Sequence, residues 1–469
     1  MKKRNFLKHQ KAFWPYMKAI SKLALFWEMR LGKTLIAIRW LKTRPDCNKI
    51  IIACPLSVVD SWERELVAEG ETPIVVRGTT AQKEKTVSET LDFSSEARQW
   101  VITNYESFIV TGRKSVEGKA LATPSYLCAL LWHAVVADES TVIKNAKAQI
   151  TKVFIKQFKH TPYRAVLTGL PNPEGLQDFV TQLIFVHGAF MGCDSFWDWR
   201  LKHMMELPTG GHIVKRSSAK MIAKSISKLS HSLTRKEAGI GSIKLYSIRT
   251  VEIPGKVKTA IKKLHETSEI GNKLTKLVLE NLTIEAKLTG GFYDDASLQH
   301  NAKLKELKYL LSTELRGQPF IIWCRFTDEV KGVTDYLNKM KPAVRVASVF
   351  GKSAGNAQKS VKLNRERIDL FMDGKLDGLV CQPKCVQMGI DMSRASVAIY
   401  YSRWLGYSIN AQSSDRIVHP KKKEPILEID IVARETYDNL IPSIISDKRT
   451  NSGNFNDRLV ELMKERGLE

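Results

Sequence analysis

No stretch of the sequence is long and apolar enough to cross a membrane, and no disulfide framework or secretory leader is evident. A membrane helix needs about 20 apolar residues, whereas the longest candidate, residues 126–137, is shorter and contains His133. The seven cysteines are odd in number and scattered, which favours a reducing interior over a disulfide-stabilised secreted protein. The basic residues 1–4 precede no long apolar core, so a secretory signal is not expected. We therefore predict a cytoplasmic protein with no membrane partner.

Acidic residues are scarce relative to basic ones. The 469 residues include 49 Asp and Glu against 73 Lys and Arg, so the formal charge is +24. This charge indicates a polyanionic partner, either nucleic acid or an anionic membrane surface. The membrane surface is disfavoured because no amphipathic helix with interfacial aromatic residues is evident. With 43% hydrophobic residues, the chain is expected to be globular, and its length predicts two or three domains.

Short, β-branched apolar runs recur in both halves of the chain, with helix-like segments between them. This alternation predicts an α/β fold of parallel sheets covered on both faces. From about residue 190 to residue 291 the strand pattern fades, and long helices are expected, for example over residues 256–288. We predict a first domain at 1–245 with a basic helical insertion at about 190–240. In the second domain, 246–469, a helical segment at about 256–300 precedes the strands. The predicted strands are residues 50–54, 100–103, 134–137, 164–167, 320–324, 344–349, 378–381, 397–401 and 426–432.

A Gly-Lys-Thr tripeptide stands at the start of the helix-like run 35–41. Gly32 would let the backbone approach phosphate groups, the Lys33 ammonium would lie between the β- and γ-phosphates, and the Thr34 hydroxyl would bind Mg²⁺. The full G-x-x-x-x-G-K-[ST] pattern is incomplete because Trp27 occupies its first position. The same tripeptide also occurs by chance in ordinary helices, so it needs further support.

Two adjacent carboxylates, Asp138 and Glu139, follow the apolar strand 134–137. Asp138 can hold Mg²⁺, and Glu139 can polarise the water that attacks a γ-phosphate. An acidic turn after a strand is the ordinary alternative. A Thr168-Gly169 turn follows the strand 164–167 and can sense the nucleotide, although an isolated turn of this kind is weak evidence.

In the second half, Arg416 follows the run Gln412 to Asp415. An arginine supplied to a transferring phosphoryl group stabilises its developing charge. A surface arginine on a helix is the ordinary alternative.

Taken in order, these motifs resemble those of superfamily 2 helicase-like ATPases, specifically the Swi/Snf-type branch and its compact bacteriophage members. The resemblance covers nearly the whole chain and implies two RecA-like domains in tandem with helical insertions between them. The Gln motif and motifs I to III lie in the first domain, and motifs IV to VI lie in the second. The matching segments are residues 7–10, 28–34, 53–57, 103–106, 138–145, 167–171, 303–307, 320–326, 389–391 and 412–416.

The resemblance implies ATP and Mg²⁺ as cofactors and DNA as the partner. Gln10 would read the adenine, and Thr34 and Asp138 would hold the metal. The implied catalytic residues are Lys33, Asp138, Glu139 and Arg416. The implied nucleotide-binding residues are Gln10, Arg30, Gly32, Lys33, Thr34, Gly389, Asp391, Gln412 and Arg416. The predicted DNA contacts are Pro55, Tyr105, Lys144 and Thr168, together with Lys215, Arg216, Arg235 and Lys236 of the basic region.

Three positions depart from the Swi/Snf pattern. Arg30 stands where the branch usually has glycine, and it can either alter the phosphate loop or place an extra cation near the nucleotide. Asp391 stands where asparagine is common. His419 replaces the second arginine of motif VI, so Arg416 acts alone or His419 supplies a weaker, pH-dependent donor.

The motifs predict a DNA-dependent ATPase that moves along double-stranded or branched DNA, with ATP hydrolysed between the two domains. A role in phage replication, recombination or branch migration would fit, in the host cytoplasm if the protein is phage-encoded, and a monomer is favoured. Two alternatives remain: a nucleic-acid-binding protein of the same fold with weak or lost ATPase activity, and an RNA-directed enzyme or restriction motor of the same superfamily. No nuclease motif supports the restriction motor.

Overall fold

The computed structural model describes residues 5–114, 120–206, 212–240, 244–267, 269–270, 273–274, 278–341, 343–351, 357–386, 390–404, 407–419, 422 and 424–440. The chain divides into two compact units, Met1–Ile240 and Gly241–Glu469. Among the described residues, no helix combines the length and the apolar character needed to span a membrane.

The described part of the first unit contains a seven-stranded sheet in which every neighbouring pair is parallel, in the order β11-β1-β8-β7-β2-β4-β3. Its strands are β1 (Lys22–Trp27), β2 (Lys49–Cys54), β3 (Pro73–Val75), β4 (Gln99–Asn104), β7 (Ala134–Asp138), β8 (Tyr163–Leu167) and β11 (His231–Leu233). Two antiparallel pairs lie outside this sheet. Strand β5 (Ile109–Lys114) pairs with β6 (Ala120–Pro124), and β9 (Met204–Glu206) pairs with β10 (His212–Val214).

Helices separate the strands of this sheet. They are α1 (Lys8–Ala19), α2 (Lys33–Lys42), α3 (Val59–Ala68), α4 (Thr80–Thr90), α5 (Gln149–Gln157), α6 (Asp178–His187), α7 (Phe196–His203) and α8 (Arg216–Leu229). The strands β2 and β7 are buried along their whole length, because helices covering both faces of a parallel sheet leave no solvated side. The carboxyl ends of parallel strands share one edge of the sheet, so the segments after β1, β2, β4, β7 and β8 meet there.

The second unit contains a six-stranded sheet in the order β12-β19-β18-β15-β17-β16, again with parallel neighbours in its described residues. The strands are β12 (Lys244–Val251), β15 (Phe320–Trp323), β16 (Val346–Val349), β17 (Gly378–Cys381), β18 (Val397–Tyr400) and β19 (Ile426–Ala433). A small hairpin joins β13 (Glu269–Ile270) to β14 (Lys273–Leu274). The helices are α9 (Gly255–Thr267), α10 (Val278–Gly290), α11 (Ala302–Ser312), α12 (Thr327–Asn338), α13 (Ala357–Met372) and α14 (Tyr407–Asp415). The predicted pair of parallel-sheet domains is confirmed.

The region between the halves is less helical than predicted. Helix α8 is present, but β11 and β12 add edge strands to the two sheets, and the hairpin of β13 and β14 interrupts the helix expected over residues 256–288. Strand β12 alternates between exposed and partly buried positions, because an edge strand can keep polar side chains on its open side. Its full-length pairing with β19 also places Lys244 and Leu245 in the second unit. The predicted domain boundary at 245 therefore lies inside this strand, and the division falls between Ile240 and Gly241.

Candidate nucleotide site and basic surface

The loop between β1 and α2 has the backbone of a phosphate-binding loop. Gly32 precedes the helix with φ +77°, and Arg30 has φ +69°. A Cβ atom at residue 32 would collide with Nε2 of Gln10, so both the backbone angle and the packing require glycine there. The Lys33 ammonium donates hydrogen bonds to the carbonyl oxygens of Trp27 (2.9 Å) and Glu28 (3.3 Å). The cation therefore lies within the loop, next to the first turn of α2, and the N–H groups at the start of a helix favour anions. Thr34 follows as the second residue of that helix.

Gln10 is fixed against this loop. The side chain is 1% exposed, its Nε2 donates to the Leu31 carbonyl oxygen (3.1 Å), and its Oε1 accepts from the Leu7 N–H (2.8 Å). The Nε2 atom of His9 lies 2.9 Å from the same Leu31 oxygen. The amide of Gln10 therefore supports the loop, and its reading of adenine stays a prediction.

Asp138 is held at the carboxyl end of β7 by two aromatic residues. The Trp62 indole N–H donates to Asp138 Oδ2 (2.8 Å), and the Tyr105 hydroxyl donates to the Asp138 carbonyl oxygen (2.7 Å). Burial raises the pKa of the Asp138 carboxyl well above its usual range, and the neighbouring Glu139 charge raises it further. The Trp62 hydrogen bond and the Lys33 charge oppose this shift. A buried carboxyl beside a second carboxylate would be stabilised in its ionised form by a divalent cation, so the pair fits Mg²⁺.

Thr168 orients Glu139. Glu139 has φ +52° and is 9% exposed, and its Oε2 accepts a hydrogen bond from the Thr168 hydroxyl (3.2 Å). Thr168 Oγ1 also accepts from the Leu170 N–H (3.2 Å). The carboxylate that is expected to polarise water is thus held by the residue that directly follows β8, the strand next to β7 in the sheet.

Two predicted DNA contacts, Thr168 and Tyr105, have buried side chains. Thr168 is 0% exposed and Tyr105 is 4% exposed, and each donates its hydroxyl to the acidic pair. Their contact with a DNA backbone stays a prediction. The support that Trp62 gives to Asp138 was missed because it joins residues 76 positions apart, and no local pattern signals such a contact.

Other predicted DNA contacts lie at or near the surface. Pro55 is half-buried directly after β2, Lys144 pairs with Glu174 (2.7 Å) and Asp178 (3.5 Å), and the Lys215 ammonium donates to the Lys202 carbonyl oxygen (2.9 Å). Arg216 and Lys236 are exposed.

Helix α8 carries a basic stripe. Arg216, Lys220, Lys224 and Lys228 recur every fourth residue and are exposed, whereas Ser218, Ile222 and Ile226 of the same helix are buried. Residues four apart share one face of a helix, so the four cations form a row that faces solvent. Arg235 differs from them because it pairs with Glu28 (3.3 Å).

In the second unit, Arg416 follows α14 and is 5% exposed. Its carbonyl oxygen accepts from the Met392 N–H (3.3 Å), and the preceding residue, Asp415, pairs with Lys244 (3.2 Å). Gln412 is half-buried on α14 and Asp391 is exposed. Gly389 lies outside the described residues.

Comparisons with known proteins find two family matches in succession along the chain, the first of which extends past the division at Ile240 into the second unit. The family described as the SNF2-related domain matches residues 12–281, and the helicase conserved C-terminal domain matches residues 302–421. An uncharacterized ATP-dependent helicase of Mycoplasma pneumoniae is 23% identical over 444 residues, which cover 90% of this chain and 39% of that protein. The chain thus spans about two fifths of the length of that relative.

A phage protein and a solved helicase domain are also similar. Putative protein p41 of Acyrthosiphon pisum secondary endosymbiont phage 1 is 22% identical over 364 residues, covering 70% of this chain and 72% of that protein. The fold is similar to the Pyrococcus furiosus Hef helicase domain, with a TM-score of 0.51 at 13% identity and coverage of 92% of this chain and 96% of that one. Because the SNF2-related match spans more than half of the sequence, the chain belongs to the SNF2-related family of helicase-like ATPases, as the order of its motifs predicts.

Proposed function

We propose that this protein is an ATP-driven motor that moves along double-stranded or branched DNA. Membership of the family implies ATP-dependent hydrolysis in general. The observation that carries the proposal for this chain is the buried Asp138–Glu139 pair. The charge of Lys33 acts to lower the pKa of Asp138, and the Thr168 hydroxyl donates a hydrogen bond to Glu139.

Each of these residues has a distinct task in the proposed reaction. Lys33 and the N–H groups at the start of α2 bind the phosphates of ATP. Thr34 and Asp138 would hold Mg²⁺, which supplies charge neutralisation at the phosphates when bound. Glu139, oriented by Thr168, polarises the attacking water.

Arg416 of the second unit is proposed to stabilise the charge that develops on the transferring phosphoryl group. Because His419 replaces the second arginine of motif VI, Arg416 carries most of this task. Hydrolysis is therefore expected to require both units of the chain.

The charge of +24 and the basic stripe of α8 support a DNA backbone as the track. Contacts with phosphates are independent of base sequence and sensitive to salt, as a motor that moves along any duplex requires. The similarity to a phage protein is consistent with a phage-encoded motor, and a role in phage replication, recombination or branch migration stays a prediction. A cytoplasmic location and a monomeric state stay predictions.

The test is ATP turnover of the purified chain with and without duplex DNA. We expect DNA to stimulate phosphate release, and we expect Glu139→Gln to reduce it by about 10²–10⁴-fold, the usual contribution of a general base, while ATP binding is retained. Glu89→Gln, the same change at an exposed position of α4, serves as the matched control and should be neutral. A wild-type rate in Glu139→Gln would refute the site, and an absence of DNA stimulation in the wild type would refute the motor.

A DNA-binding protein without turnover is a second candidate, and His419 at the position of an arginine is the observation that favours it. It predicts duplex binding by the wild type with no phosphate release above that of Glu139→Gln. Forked DNA, four-way DNA and RNA in the same assay separate a branch-specific or RNA-directed enzyme from a duplex motor.

A further inference from the structure

A short strand connects the basic helix to the phosphate loop. Only Ser230 separates α8 from β11, which pairs in parallel with β1 in the register Leu25 to His231 and Trp27 to Leu233. The Trp27 indole N–H donates to His231 Nδ1 (2.7 Å), and Glu28 N–H donates to the Leu233 carbonyl oxygen (2.9 Å). The segment that follows the basic stripe is therefore hydrogen-bonded to the first residues of the loop.

Glu28 joins this segment to the phosphate lysine. Its Oε2 accepts from the Arg235 backbone N–H (2.8 Å) and pairs with the Arg235 guanidinium Nε (3.3 Å). On its other side, the Glu28 carbonyl oxygen accepts from the Lys33 ammonium (3.3 Å). One residue thus contacts both the end of the basic segment and the cation expected to bind ATP.

The position of Arg235 does not suit a DNA contact. Its side chain is 15% exposed, and the guanidinium is held by a carboxylate, so a phosphate group would have to compete with Glu28 for it. The stripe on α8 has no such obstacle. Arg216 and Lys228 are about 18 Å apart at 1.5 Å per residue, which equals the length of about five base-pair steps along the axis of a duplex.

We propose that Arg235 is a positioning residue: by pairing with Glu28 it fixes the phosphate loop and couples DNA bound at the α8 stripe to ATP turnover. This inference rests on the proposed DNA-stimulated ATPase activity and adds its route of regulation. In this route, DNA bound to α8 limits the movement of β11. Strand β11 and Arg235 in turn hold Glu28 in place, and Glu28 holds Lys33.

The experiment compares Arg235→Gln, Glu28→Gln and the double variant in ATP turnover and in duplex binding over a range of salt concentrations. We expect each single variant to lower the DNA-stimulated kcat three- to tenfold, which corresponds to about 0.7–1.4 kcal/mol. The double variant should be no worse than either, because both single changes remove the same pair. Duplex affinity should stay within twofold of the wild type with an unchanged salt dependence, and Arg235→Lys should restore most of the lost kcat.

A direct DNA contact gives the opposite pattern. Arg235→Gln would then weaken duplex binding about tenfold and lower the salt slope by about one, whereas Glu28→Gln would leave turnover intact and strengthen DNA binding by removing a competing carboxylate. That result would overturn the proposal.

Arg39→Gln is the matched control. Arg39 also makes an ion pair within the first unit, with Glu69 at 2.8 Å, so its loss reports on stability alone and should leave the DNA stimulation ratio unchanged. The same loss of stimulation in Arg39→Gln would overturn the positioning role.

A wild type that DNA does not stimulate would refute the proposed function and the DNA-coupling half of this inference. The loop-positioning half is then decided by ATP affinity without DNA. If both single variants lose ATP affinity and the double variant loses no more than either, the loop-positioning role is supported. Unchanged ATP affinity in the single variants would refute it.

Discussion

Arg30 holds a backbone conformation that glycine adopts more readily. Its φ is +69°, in the left-handed region where a residue with a Cβ loses about 1–2 kcal/mol. Glycine removes that strain but costs about 0.5–1 kcal/mol through the greater freedom of the unfolded chain. Arg30→Gly should therefore be more stable than Arg30→Ala by about 0.5–1 kcal/mol, because alanine keeps the strain and both variants lose the charge.

Thermal denaturation can resolve this difference. For a unit of this size, 1 kcal/mol shifts the midpoint by about 2–4 °C, so Arg30→Gly should melt about 1–4 °C above Arg30→Ala. Gly70 provides a calibration in the same unit: it has φ +83°, and an added Cβ would meet no atom within 4 Å. Gly70→Ala therefore isolates the conformational cost and should lower the midpoint by a similar amount.

The pair of variants also separates strain from charge. If the guanidinium acts on the nucleotide, both variants should raise the KM for ATP by the same factor despite their different stabilities. An Arg30→Gly variant that melts at or below the midpoint of Arg30→Ala would refute the argument that the loop is strained at this residue.

Three further predictions concern buried polar groups. Thr168→Val removes the hydrogen bond to Glu139. Because hydrogen bonds to charged groups contribute about 1.5–3 kcal/mol, single-turnover hydrolysis should slow roughly 10- to 100-fold with ATP binding intact. An unchanged rate would contradict the orienting role of Thr168. Gln10→Ala removes one of two side-chain contacts to the Leu31 carbonyl oxygen, since His9 Nε2 also lies 2.9 Å from it. It should destabilise the loop by about 0.5–1.5 kcal/mol, seen as a lower melting temperature and a higher KM for ATP. Burial raises the pKa of Glu329 to about 7 from an ordinary 4.5, so the folded chain holds this proton more tightly. The stability gained from this bound proton is complete below pH 4.5 and is lost as the pH rises to 7, at up to ~1.4 kcal/mol per pH unit. The denaturation midpoint of Glu329→Gln should therefore depend less on pH than that of the wild type. Parallel pH profiles of the two proteins would contradict the raised pKa.

Local patterns in the sequence were sufficient for most of the inner strands and for the chemistry at their ends, although β1 (Lys22–Trp27) was not among the predicted strands. Central strands of a parallel sheet are apolar along their whole length, so runs such as residues 50–54 and 134–137 were predicted close to their observed bounds. The phosphate loop and the acidic pair follow such strands directly, and their residue types indicate phosphate and metal binding without knowledge of the packing. Edge strands were missed, because β11 has three residues and β12 keeps polar side chains on its open face.

The sequence by itself determined the family, the two parallel-sheet domains and the choice of residues proposed to bind phosphate and metal, since each depends on neighbours along the chain. Only the tertiary structure decided what those residues contact. It showed that Tyr105 and Thr168 are buried and donate their hydroxyls to the acidic pair, and it paired Arg235 with Glu28, 207 positions away. Such contacts depend on which strands become neighbours in the sheet, and strand order is fixed by the packing of the whole unit. The net charge of +24 indicated a polyanion, and the fold showed which cations of α8 face solvent and that Arg235 pairs with Glu28 of the phosphate loop.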